Sequence, residues 1–83
     1  MIYKIYLGYT YNGLENGWGV EIKGKGEIYY GMWRNGHRHG WGRNVRSRSY
    51  YQIGNFVNGI TRGYLQHFEK NGSMFAGYLG DDY

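Results

Sequence analysis

Four glycines, Gly8, Gly31, Gly54 and Gly77, recur at an interval of 23 residues, and their surroundings recur in step. Aligned on them, Asn12-Gly13, Asn35-Gly36 and Asn58-Gly59 coincide, as do Gly17, Gly40 and Gly63. The next register holds Trp18, Trp41 and Tyr64, and two residues past the phasing glycines stand Thr10, Trp33, Phe56 and Leu79. A period of this length belongs to solenoids and arrays, whose single units cannot bury their own apolar face. It favours an extended binding surface over a catalytic pocket.

Eighty-three residues suffice for one small domain whose core would be marginal. Aromatics make up 20% of the chain, there are 16 glycines and no proline, and a period of three is absent. Disordered and collagen-like classes are therefore excluded. Tyr, Trp, Phe, Ile and Val dominate the apolar set, which is strand chemistry. Without cysteine there is neither a disulfide nor a thiolate metal site. The opening residues lack a secretory apolar run and no stretch has bilayer-spanning length, so a cytoplasmic protein is expected, with Asn71-Gly72-Ser73 an ordinary turn.

Each unit reads as a hairpin. In the second, Glu27 to Arg34 is a strand, Asn35 to Gly40 a six-residue loop ending in a glycine bulge, and Trp41 to Arg46 the return strand. Short turns at Gly24-Lys25-Gly26, Arg46-Ser47-Arg48-Ser49 and Lys70-Asn71-Gly72 link the units. Seven strands in sequential order are predicted, closing on the half unit Met74 to Leu79, in a sheet roughly 30–35 Å across. Units fall at approximately 5–27, 28–50, 51–73 and 74–83 of one domain.

Strand alternation puts Trp18, Val20 and Ile22, Trp41 and Val45, and Tyr64 and Phe68 on a common side of their strands. Leu7, Tyr30, Ile53 and Ala76 point one way, and Trp33, Phe56 and Leu79 the other. Large apolar groups on both faces imply that rings pack over the phasing glycines, and since a single sheet covers one face only by coiling strongly on itself, some aromatic surface is expected to stay open. A bulge in any hairpin is expected to reverse half of these assignments.

From Ile28 to Phe68 there is no Asp, Glu or Lys but six arginines, so this window carries +6 and the remainder, four lysines against six acids, carries −2. A patch of one sign suits an acidic protein surface, phosphate or nucleic acid. Arg43 stands out because alternation sets it beside Trp41 and Val45, where it would stack on Trp41 or reach a bound carboxylate.

These residues resemble the MORN (membrane occupation and recognition nexus) repeat family, whose pattern is an aromatic, Gly, a second aromatic, Asn-Gly, a basic turn and Gly-x-Gly. Tyr29 to Gly42, YYGMWRNGHRHGWG, fits closely. The first unit has Thr10 for the second aromatic, the third has Leu65 for the second Gly, and the fourth has Gly80-Asp81 for Asn-Gly. The resemblance implies an all-β array of about three and a half antiparallel hairpins forming an elongated, twisted meander sheet. It also implies scaffolding, accessory or dimerising roles, with phospholipid binding proposed for the family.

Chemistry-bearing clusters read as bland. His37 and His39 sit in a turn around Arg38, where packing or solvation is expected over metal binding. Ser47 and Ser49 lie in a linker, Glu21 and Glu27 flank a turn, and Asp81 and Asp82 close the chain, so no nucleophile, base and orienter converge. No nucleotide-binding glycine loop is present. The expectation is a non-catalytic module without metal or cofactor that docks a protein partner, as scaffold, assembly subunit or inhibitor-type binder. Tyr30, Trp33, Trp41, Phe56 and Tyr64 would be its anchors and Arg34, Arg38, Arg43, Arg46 and Arg48 its charge-specifying groups. Docking on anionic phospholipid is the alternative and nucleic acid a third reading. The apolar first strand also leaves a homodimer or edge pairing open, while the acidic end reads as a cap.

Overall fold

A computed structural model describes residues 3–46 and 48–79. Met1, Ile2, Ser47 and the acidic Gly80-Asp81-Asp82-Tyr83 end, with its expected capping role, lie outside the described residues. Seven strands follow one another: β1 Lys4–Tyr11, β2 Leu14–Lys23, β3 Glu27–Arg34, β4 His37–Val45, β5 Tyr50–Val57, β6 Ile60–Glu69 and β7 Met74–Leu79. They form a single antiparallel meander in sequence order, with β1 and β7 as its edges. No helix among the described residues is long and apolar enough to cross a membrane.

The hairpin loops are shorter than the sequence suggested. Asn12-Gly13, Asn35-Gly36 and Asn58-Gly59 alone make the turns, with φ of 51° and 79°, 49° and 85°, and 50° and 88°. Both residues are left-handed, as the two-residue hairpin turn that matches strand twist requires. His37 to Gly40 therefore belong to β4, and the glycine irregularity falls inside the return strand. From the Gly31–Gly42 pair to the Trp33–Arg38 pair, β3 advances two residues and β4 four. The same excess of two recurs between β1 and β2 and between β5 and β6. Gly17, Gly40 and Gly63, all at positive φ, lie in these stretches. An excess of two keeps strand parity, so side chains stay on the face that alternation assigns and the expected reversal does not occur.

Register aligns the glycines across the whole sheet. Gly8, Gly19, Gly31, Gly42, Gly54, Leu65 and Gly77 are successive cross-strand partners, one from each strand. This row makes an inner face on which aromatic rings lie directly against backbone. The Tyr6 ring covers Gly19 and the Tyr29 ring covers Gly42, where a Cβ on either glycine would collide with the ring. Tyr29 is fully buried, and Trp33 and Phe56 are each 5% exposed. Tyr6, Trp33, Tyr29 and Phe56 meet edge to face in sequence at 5.3, 5.4 and 5.2 Å between centroids, a favoured aromatic geometry.

The third unit solves the same packing differently. Gln52 stands where Tyr6 and Tyr29 stand earlier, and Leu65 replaces the covered glycine. Leu65 Cδ1 comes within 3.1 Å of where a Gly54 Cβ would sit. The bulk has moved from one strand to its neighbour. The sheet spans 39 × 33 × 19 Å, so at this length the array is a broad slab rather than a rod.

Candidate interaction surface

The outer face has no second layer among the described residues. One cross-strand row reads Ile5, Ile22, Ile28, Val45, Tyr51, Phe68 and Met74, apolar throughout. The next reads Leu7, Val20, Tyr30, Arg43, Ile53, Gln66 and Ala76. Toward the Asn-Gly turns follow the pairs Trp18–Met32, Trp41–Asn55 and Tyr64–Tyr78. Trp18 and Trp41 are 51% and 55% exposed, and Leu7, Tyr9, Met32 and Tyr78 also stand open to solvent. An exposed apolar patch of this kind makes this face the candidate interaction surface.

Charge is sorted by face. Strand parity puts Arg34, Arg43 and Arg62 on the outer side, whereas the described acids, Glu15, Glu21, Glu27 and Glu69, fall on the inner side or at its ends. Among the described residues the outer face is thus mainly aromatic and aliphatic, and the charged groups that strand parity sets on it are arginines.

The residues singled out from sequence divide between the faces. Tyr30, Trp41, Tyr64, Arg34 and Arg43 belong to the outer face, while Trp33, Phe56 and Arg38 belong to the inner one. Arg43 lies over Tyr51 at 4.3 Å from its centroid, not over Trp41 as expected. Nor is the arginine-rich window of one sign in space. Arg38 Nη2 reaches Glu21 Oε1 at 2.6 Å and Glu27 Oε2 at 3.7 Å, and Arg46 Nε lies 4.0 Å from Glu27 Oε2. Trp18, Met32, Tyr9 and Tyr78 enlarge the surface beyond the residues picked from sequence, and the shared parity of Trp18, Trp41 and Tyr64 was the signal for the first.

The inner cluster is structural. Glu21 is 3% exposed and accepts from Arg38 and from Lys4 Nζ at 3.1 Å. Arg38 also caps the Tyr29 ring at 4.5 Å. Burial pushes the Tyr29 hydroxyl up to about 12, with Arg38 opposing it. For Glu21, burial favours the neutral acid, but hydrogen bonds from Arg38 and Lys4 outweigh it and hold the carboxyl below the ordinary glutamate range. A depressed folded-state pKa gives stability that is present above the ordinary value of about 4.3 and is lost as pH falls through the folded value. Urea unfolding of wild type should therefore lose stability on acidification below about pH 4.3. Glu21→Gln should flatten that acid limb and cost ~3 kcal/mol near pH 7, because Arg38 loses its closest carboxylate. An unchanged acid limb in the variant would exclude this assignment.

No metal-ligating cluster of His, Cys, Asp or Glu forms among the described residues. In comparisons with known proteins, no family model matches the chain, and no curated protein matches it.

Proposed function

We propose that this chain is a MORN-type hairpin array acting as a non-catalytic interaction module, docking an acidic protein partner on its outer face. The observation that carries the reading is the pair of open, largely apolar rows whose one charged member is Arg43, with Arg34 on the same face nearer the turn. Trp18, Trp41 and Tyr30 are the anchors, and Arg34 and Arg43 select a partner with carboxylates beside its apolar contacts. Trp, Tyr and Arg are the types that dominate interface hot spots. A slab of 39 × 33 Å offers about the 800 Å² per partner of a standard interface. Face-to-face pairing of two copies would oppose arginine with arginine, which disfavours a homodimer through this surface.

The same aromatic face, on which strand parity sets no acid among the described residues, favours one second reading, adsorption to anionic phospholipid, where Trp and Tyr sit at the headgroup level and Arg binds phosphate. Affinity capture with tagged protein, washed at about 0.1 M and about 0.5 M salt, separates the two. A stoichiometric protein that survives the stronger wash, and is lost when the bait carries Trp18→Ala, is the expected result. Co-sedimentation with anionic vesicles at low salt only, with no protein retained, would replace docking by membrane adsorption.

A further inference from the structure

Where β4 hands over to β5, the outer face ends in a concavity of about 320 Å³ lined by Arg43, Val45, Arg48, Tyr51, Phe68 and Lys70, among others. It is held by backbone, since the Lys70 N–H donates to the Ser49 carbonyl at 2.8 Å and ties the linker to the β6–β7 turn. Gly72 N–H closes that turn on the Glu69 carbonyl at 3.0 Å. Tyr51 and Phe68 are stacked within the lining, 4.9 Å apart and 15° from parallel. Arg43 Cζ lies over Tyr51, at 4.3 Å from the ring centroid.

Among the described residues three cations, Arg43, Arg48 and Lys70, line this hollow against one carboxylate, Glu69, and Glu69 Oε1 lies 3.6 Å from His67 Nε2. An arginine fixed on a ring presents its planar fork to an oxyanion. A carboxylate ligand brings a single negative charge and leaves half of that cationic excess of two unmatched. A phosphate monoester, at about −1.5 to −2, answers it. The aromatic stack gives a second contact that inorganic phosphate cannot use, and the volume lies at the small end of ligand sites, about one ring with its phosphate.

We propose that this concavity binds an aryl phosphate, with the ring against Tyr51 and Phe68 and the phosphate between Arg43, Arg48 and Lys70. The site lies at the linker end of the outer face and shares Arg43 with the docking surface, but Arg48, Lys70, Tyr51 and Phe68 belong to it alone, so either proposal can fail without the other.

Titrating the ¹⁵N-labelled protein with phenyl phosphate tests it. Saturable shifts should centre on Val45, Arg48, Tyr51, Phe68 and Lys70, while inorganic phosphate, phenol and glycerol phosphate each bind at least about tenfold more weakly. Arg48→Gln with Lys70→Gln, both exposed residues, should weaken phenyl phosphate about tenfold or more while leaving the unfolding curve unchanged. A phosphotyrosine peptide that binds at least as tightly as phenyl phosphate identifies a polypeptide source, and one that binds more weakly identifies a small molecule. Absence of saturation, equal affinity for glycerol phosphate, or an unaffected double variant overturns the proposal.

Discussion

Gly31→Ala is expected to destabilise the protein by ~3 kcal/mol, whereas Gly77→Ala should shift stability by less than about 0.5 kcal/mol. Both glycines belong to the same cross-strand row and the same register of the repeat, so sequence pattern alone ranks them equally. Their surroundings differ. A Cβ at Gly31 would lie 2.6 Å from Gly42 Cα, 2.6 Å from the Tyr29 hydroxyl and 2.7 Å from the Trp41 carbonyl oxygen. Two of those three atoms are backbone of the paired strand, and the third belongs to the fully buried ring. Relief requires β3 and β4 to separate at the centre of the sheet. A Cβ at Gly77, on the edge strand, would meet nothing within 4 Å among the described residues. Urea unfolding of the two variants beside wild type decides the matter. Equal losses would mean that the row is needed for backbone freedom and not for close approach of rings and strands.

Much of this arrangement is legible in the sequence. Asn-Gly at fixed phase gave the reversals, and the spacing of the phasing glycines gave the number and order of strands. Alternation put Leu7, Tyr30, Ile53 and Ala76 in one row, where register confirms them. Three things were hidden. In sequence Gly40 looks like the terminus of a six-residue loop begun by Asn-Gly, whereas it is an irregularity within β4. Leu65 looked like a lapse in the pattern, since compensation by Gln52 is a relation between strands that a linear alignment does not display. The arginine window looked uniformly basic because Glu21 and Glu27 lie outside it in sequence, yet the meander brings both to Arg38. Pairing between neighbouring strands, and not composition within one, decides which charges remain for a partner.

That distinction produces the sharpest test of the docking surface, because Trp33 and Trp41 are alike in sequence terms and opposite in the fold. Trp33 is 5% exposed, sits edge to face against Tyr6 and Tyr29, and directs Nε1 toward the Gly19 carbonyl at 3.4 Å. Trp41 is 55% exposed on the other side of the sheet. Trp33→Ala opens a cavity at the junction of the aromatic ladder and should cost about 3–5 kcal/mol of stability. Within a single-sheet protein whose core holds so few rings, that loss approaches the whole stability of a small domain. Trp41→Ala removes a ring already in water, so stability should change by less than about 0.5 kcal/mol. As a central anchor of the outer face, it should instead weaken partner retention by about 2 kcal/mol or more, roughly thirtyfold. Parallel thermal unfolding and capture of the same partner separate the two effects. Full retention by Trp41→Ala would remove it from the docking surface, and a stable Trp33→Ala would show that the inner ladder is not the core.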